Sequence, residues 1–209
     1  MKQILKPGDT FIDIGANIGY ETIWGAFLVG ASGSVYSFEP IAHLAEQIKE
    51  SLMLNQFSNV HLIQKASGEK EGVATIYFHP EDAGLTSFEN KLGATESASV
   101  EITTVDTELA GKETVTLIKL DVEGYEYESL RGAENLLKKY HPVIVFEFSP
   151  HLYEQSEKGK SLKIFNYLHD LGYKISPIYD PKKVIEKSNF EALVKRILDD
   201  ETIPNFVAR

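Results

Sequence analysis

Two short stretches of the chain set acids beside glycines in a way that suits a ligand: FIDIGANIGYE (11–21) and KLDVEGYEYE (119–128). In the first, Gly15 and Gly19 flank Ala16, Asn17 and Ile18 directly after an apolar run. Small residues let the backbone curl tightly, and the helix that follows aims open N–H groups at a ligand. A dinucleotide turn of the G-x-G-x-x-G type needs a second glycine where Asn17 stands, so that the backbone can approach a pyrophosphate. A ligand with a carboxylate in place of the pyrophosphate fits better, and S-adenosylmethionine, with its amino-acid end, is such a ligand. The plain alternative is an ordinary tight strand–helix connection.

Glu39 closes the stretch SVYSFEP (34–40), just ahead of Pro40. A carboxylate at the end of the second strand can accept hydrogen bonds from both ribose hydroxyls of a nucleotide. In the second acidic stretch, Lys119 falls inside an apolar run, where an unpaired ammonium is costly to bury. Asp121, Glu123 and Glu126 are the partners at hand, and Gly124 lets the chain turn sharply after them. Glu147 closes the apolar PVIVFEF (142–148) in the same manner, and His151 follows it. A structural ion-pair network explains these acids equally well on composition alone.

If the site moves a group onto a hydroxyl, a carboxylate or histidine must take the proton, and Asp121, Glu147 and His151 are the catalytic candidates. His43, His61, His79, His141 and His169 show no pairing at ligand spacing, so no structural metal is expected. Magnesium recruited by the acids near Glu123 and Glu147 is the lesser alternative. A polar loop over 79–98, with Thr86, Ser87, Phe88 and Asn90, is a candidate cover for the acceptor, and a surface hairpin tip otherwise. Tyr20 and Phe88 are candidates to stack on a ring, although aromatic residues near turns more often pack.

The elements that must position these groups alternate. TFIDI (10–14), SVYSFEP (34–40), VHLIQ (60–64), VTLIKLD (115–121), PVIVFEF (142–148) and YKISPIY (173–179) read as strands. Helices are expected over 19–29, over 41–55 with Leu44, Ile48, Leu52 and Met53 inward, over 125–139, and over 161–171. GVATIYFHP (72–80) and ASVEITTVD (98–106) alternate like antiparallel strands and interrupt the rhythm. Strand–helix alternation implies a doubly wound, mostly parallel α/β sheet covered on both faces. Ligands of such sheets lie at the carboxyl ends of the strands, which is where the acids fall.

With 209 residues, 43% hydrophobic and 25% charged, the chain is expected to form one globular domain, residues 1–209. It has no cysteine, which removes thiolate zinc sites and cysteine nucleophiles and fits a reducing compartment. Lys6 and Pro7 break the first apolar stretch, and no run is long enough to span a bilayer, so a cytoplasmic protein is expected. A net charge of −10 makes nucleic acid an unfavoured partner. Oligomeric state has no signature in the sequence.

FIDIGANIGYET, VYSFEP, LIKLDVEGYEYESLRGAENLL and PVIVFEF together resemble the FkbM-type methyltransferases, over roughly residues 9 to 175. The resemblance implies a class I, Rossmann-like methyltransferase sheet of about seven strands, the last antiparallel and inserted between its neighbours. NFVAR (205–209) is that last strand, and the 72–106 stretch is an inserted hairpin. It further implies S-adenosylmethionine as cofactor, S-adenosylhomocysteine as product, and O-methylation of a sugar, glycolipid or natural product. The cofactor-binding set is then Asp13, Gly15, Ala16, Asn17 and Gly19 at the methionine end, Glu39 and Pro40 at the ribose, and Ala66 and Ser67 by the adenine. Asp121 is implied beside the methionine amino group and sulfonium. Two other readings stay open: a nicotinamide-dependent oxidoreductase, and a cofactor-binding interaction module without catalysis.

Overall fold

The computed structural model describes residues 1–79, 82–88, 94–112, 114–200 and 202–209, with the backbone alone at 82–87, 155 and 156. Its elements run β1 (Thr10–Ile14), α1 (Tyr20–Val29), β2 (Ser34–Phe38), α2 (Ala42–Leu54), β3 (Val60–Ile63), β4 (Ala66–Ser67), β5 (Gly72–His79), β6 (Asp82–Ser87) and β7 (Glu96–Thr103). They continue with α3 (Val105–Glu108), β8 (Leu117–Leu120), α4 (Glu126–Arg131), α5 (Glu134–Tyr140), β9 (Val143–Glu147), α6 (Pro150–Ser156) and α7 (Lys160–Asp170). β10 (Ile175–Pro177), a 3-10 turn (Lys187–Asn189), α8 (Phe190–Asp199) and β11 (Asn205–Ala208) close the chain.

Seven strands form one sheet in the order β10-β11-β9-β8-β1-β2-β3. β1, β2, β3, β8 and β9 are parallel, whereas β11 runs antiparallel between β9 and β10. Both faces are covered, which is why the central strands are apolar on consecutive positions. Ile12, Ile14, Ile118, Leu120, Ile144 and Phe146 face a core completed by Leu136 and Leu137 of α5, Phe165 of α7 and Phe190 of α8. Phe11, Val35 and Leu117 face the other way, onto Ala26 and Val29 of α1.

Several expectations are corrected. The helix expected over 125–139 is two helices, because α5 starts afresh where Asp106 of α3 accepts from the N–H groups of Asn135 and Leu136, both at 2.9 Å. The inserted hairpin is a second sheet of four strands, β4-β7-β5-β6. Residues 82–87 of the expected loop are therefore a strand paired to β5, while Asn90 lies outside the described residues. Met53 is 70% exposed, unlike Leu44, Ile48 and Leu52, which do face inward. The strand of 115–121 is only Leu117–Leu120, so Asp121 already stands beyond the sheet edge. Helices α6 and α8 had no expectation attached to them. Among the described residues no helix is long and apolar enough to cross a membrane.

Candidate functional site

The chain leaves β1 for β2 and β3 on one side, and later places β8 and β9 on the other. The strand order thus reverses between β1 and β8, and the carboxyl ends there open a crevice. A cleft of about 640 Å³ lies at this edge, and Gly15, Asn17, Glu39, Pro40, Ala66, Ser67 and Asp121 all line it. Phe38, Leu44 and Ile76 supply apolar walls. Ile76 comes from β5, so the second sheet forms one side of the cleft.

The glycine turn is held from two directions. Gly15 and Ala16 donate their N–H groups to the Phe38 carbonyl of β2, at 3.1 and 3.0 Å. On the other side, a Cβ at Gly15 would lie 1.8 Å from the Asp121 carbonyl oxygen, so the turn rests directly on the end of β8. Gly15 also has φ of +79°, and Asn17 has φ of 55°. Both are left-handed conformations, which glycine and asparagine tolerate best.

Glu39 is 4% exposed, and its carboxylate ties two loops together. Oε2 accepts from the Asn17 N–H and Oε1 from the Ile41 N–H, each at 2.8 Å. Burial pushes its pKa up to about 7, against these hydrogen bonds, which favour the ionised form. Each carboxylate oxygen keeps a second lone pair, so ribose hydroxyls remain acceptable partners.

Asp13 is fully buried beneath the turn and does not line the cleft. Its Oδ2 accepts from Thr22 Oγ1 of α1 at 2.5 Å, and Thr22 in turn meets Ser37 Oγ at 2.8 Å. Its Oδ1 faces Lys119 Nζ at 3.7 Å. Lys119 also pairs with Asp121 Oδ2 at 3.4 Å and donates to the Gly15 carbonyl at 2.7 Å. The expected pairing of Lys119 with Glu123 and Glu126 is corrected: of the three acids named, it takes Asp121, and its second acid comes from β1. Glu126 instead accepts from the N–H groups of Val122 and Gly124, at 3.0 and 3.1 Å, and so caps its own turn.

Asp121, Glu123 and Glu147 gather at the end of β8 and β9, with one carboxylate oxygen of each within 4.8 Å of the others. Burial raises the Glu123 pKa to about 8, helped by the charges of Asp121, Glu147 and Glu126. Burial likewise raises Glu147, with Asp121 adding to it and the Ser149 hydroxyl, at 3.3 Å, opposing it. His151 lies at the start of α6, outside the cleft lining, with Nε2 buried and without a hydrogen-bond partner among the described residues.

At the far end, Ser67 is buried and lines the cleft, yet its Oγ has no partner among the described residues. Phe88 also lines the cleft and packs at a tilt against Tyr125, with ring centroids 4.1 Å apart. Tyr20 is 72% exposed at the start of α1 and is not among the residues that line the cleft. Sequence reasoning missed Thr22, Ser37 and the half-buried Glu21, whose pKa burial raises and whose neighbours include Lys119. Only the buried lysine in an apolar strand signalled that such a network existed.

The Methyltransferase FkbM domain matches residues 13–175 of the chain. In fold the chain is similar to methyltransferase FkbM from Methylobacillus flagellatus KT, with a TM-score of 0.61 and 15% identity, over 99% of this chain and 49% of that one. It thus spans about half the length of that protein. Fibrillarin of Aeropyrum pernix, in complex with natively bound S-adenosyl-L-methionine, is similar with a TM-score of 0.55 and 14% identity, over 98% of this chain and 67% of that one. Identities this low speak for the fold alone. A protein-L-isoaspartate O-methyltransferase of Ignicoccus hospitalis is 37% identical over 59 residues, 28% of either chain.

Proposed function

The chain belongs to the FkbM methyltransferase family, and from that premise we propose that it methylates a hydroxyl oxygen of a sugar, glycolipid or natural product, with S-adenosylmethionine as donor. The cleft at the strand reversal carries this reading. It joins apolar walls from Phe38, Leu44 and Ile76 to a few convergent polar groups, as ligand sites do. The excess of acid around Asp121 suits the positive ammonium and sulfonium of the donor. At the other end the buried, unpartnered Ser67 hydroxyl suits a hydrogen-bonding base edge such as adenine. In this reading Gly15, Ala16, Asn17 and Gly19 cradle the methionine end, Glu39 and Pro40 border the ribose, and Asp13 acts from beneath, through Lys119.

S-adenosylmethionine supplies a methyl group already activated on a sulfonium. The chain adds alignment of the acceptor oxygen and a group to receive its proton. Two of the three candidate bases differ in a telling way. Asp121 is ion-paired with the Lys119 ammonium at 3.4 Å, which commits its carboxylate to a cation. Glu147 lacks that pairing, and burial raises its pKa towards the range where a general base works. Glu147 therefore takes the hydroxyl proton in this reading, as the oxygen–methyl bond forms and the methyl–sulfur bond breaks to leave S-adenosylhomocysteine. Neither Glu147 nor His151 lines the cleft itself, but Glu147 gathers with Asp121 and Glu123, which do, and His151 is the remaining candidate.

Thermal shift tests the donor. S-adenosylhomocysteine at about 100 times its dissociation constant is expected to stabilise the fold by ~2.7 kcal/mol, a rise of roughly 5–10 °C for a chain of this size. NAD and NADP should leave the melting temperature unchanged. A shift with NAD and none with S-adenosylhomocysteine would remove the methyltransferase reading. A labelled-methyl transfer screen over nucleotide sugars, glycolipids and extracts then identifies the acceptor. Glu147→Gln is expected to lower kcat by about 100-fold or more, with the dissociation constant of S-adenosylhomocysteine within about twofold of wild type. Unchanged turnover would take Glu147 out of the mechanism.

A further inference from the structure

Lys119 is the node of the polar network beneath the cleft. It sits opposite Asp13 in the β1–β8 register, with Val145 on its other side. An ammonium has three hydrogens to place, and three acceptors surround this one. They are the Gly15 carbonyl at 2.7 Å, Asp121 Oδ2 at 3.4 Å and Asp13 Oδ1 at 3.7 Å. The Asp13 side of this arrangement is fixed independently by the Thr22 and Ser37 hydroxyls. The other side opens on the cleft, because both Gly15 and Asp121 line it.

A lysine needed only for stability could stop at Asp13. This one reaches past it to the turn carbonyl and to a half-exposed carboxylate. We propose that Lys119 is a positioning residue for cofactor binding: it pins the Gly15 carbonyl and aims the Asp121 carboxylate, so that the methionine ammonium meets a preset acceptor. The inference rests on the function proposed above. It also accounts for the charge balance. Asp13 from β1, Glu21 from α1, Asp121 from the end of β8, Glu123 from the following turn, Glu126 from α4 and Glu147 from β9 crowd this corner. Lys119 is the cation ion-paired with Asp13 and Asp121 among them. Burial disfavours its charge, but Asp13, Asp121 and Glu21 together hold its pKa above the ordinary lysine value.

The test measures the dissociation constant of S-adenosylhomocysteine by calorimetry for wild type, Lys119→Met, Lys119→Arg and the double variant Asp13→Asn/Lys119→Met, from about pH 6 to about pH 9. Without the ammonium, nothing pins the Gly15 carbonyl or aims the Asp121 carboxylate. The Lys119→Met constant should therefore be at least about tenfold weaker than wild type. Lys119→Arg, which keeps the charge, should recover most of the affinity. The double variant removes the buried pair together, so it should recover the melting temperature and not the affinity. It decides the matter if Lys119→Met fails to fold.

A ratio within about twofold of one at every pH would overturn the proposal. So would wild-type affinity in the double variant, or a Lys119→Arg variant that binds no better than Lys119→Met. If the wild type itself binds no S-adenosylhomocysteine, it is the proposed function that fails, and this inference falls with it.

Discussion

Gly15→Ala is expected to abolish measurable S-adenosylhomocysteine binding and to lower the melting temperature by roughly 6–12 °C. Two costs combine. The φ of +79° places an alanine in the left-handed region, at about 1–2 kcal/mol. The new Cβ would lie 1.8 Å from the Asp121 carbonyl oxygen, which is backbone and has no rotamer to change. Either β1 and β8 part at their carboxyl ends, or the turn leaves the Phe38 carbonyl that holds it. Both movements displace Asn17 and Asp121, which line the cleft. Overpacking of this kind adds about 1–3 kcal/mol to the strain. Gly72→Ala is the matched control, because a Cβ there meets nothing within 4 Å. It should leave both binding and melting temperature near wild type. Wild-type affinity in Gly15→Ala would mean that the turn does not hold the donor.

Glu39→Gln should weaken S-adenosylhomocysteine binding by about 10–100-fold, the loss of one or two hydrogen bonds to a charged acceptor, and should flatten the pH dependence of stability. An amide offers one acceptor where the carboxylate offers two. Either the Asn17 or the Ile41 N–H is then left facing an NH₂ group. The sign of the pH effect follows from the raised pKa. With a folded value of about 7 against an ordinary 4.5, the folded chain holds the proton more tightly than the unfolded chain does. That contribution is complete below about pH 4.5 and is lost as pH rises through about 7. It amounts to about 3 kcal/mol.

Glu126, at about 7, and Glu123, at about 8, move in the same direction. The ligand-free protein should therefore lose stability between about pH 5 and pH 8 in urea titrations. Glu134, Glu154 and Asp170 are shifted downward and titrate below that window. Relative to wild type, Glu39→Gln should gain stability between pH 5 and pH 8, because it lacks this loss. A wild-type stability that rises over this range, or an identical slope in the variant, would contradict the buried, proton-binding state of Glu39.

What could be read before the structure was whatever the chain specifies locally. TFIDI and PVIVFEF declare central parallel strands, because a strand buried on both faces must be apolar at successive positions. Gly15 and Asn17 declare a left-handed turn, because few other residues accept that geometry. Glu39 and Asp121 could be placed at one edge because each closes its strand, and strands of a parallel sheet end together. The inserted strands were visible as alternation, yet β6 was not, since DAGLTS carries too little hydrophobic pattern to announce itself.

The pairings across the sheet were decided only by the tertiary structure. Lys119 looked to the acids that follow it in sequence, but β8 ends at Leu120 and the chain turns away at Glu123 and Gly124, while Asp13 arrived beside it through the β1–β8 register. The break before α5 depended on Asp106 reaching it from α3. The different surroundings of the acids arose in the same way. Asp121 and Glu147 are alike in sequence, each a carboxylate after an apolar strand, and composition offers no means to separate them. Folded, Asp121 forms an ion pair with Lys119, whereas Glu147 accepts from the Ser149 hydroxyl. Sequence thus determined the sheet, the turn and which edge carries the acids, all of which follow from local sterics and periodicity. Which carboxylate pairs with the buried lysine depends on distances between strands far apart in the chain, and those exist only once it is folded.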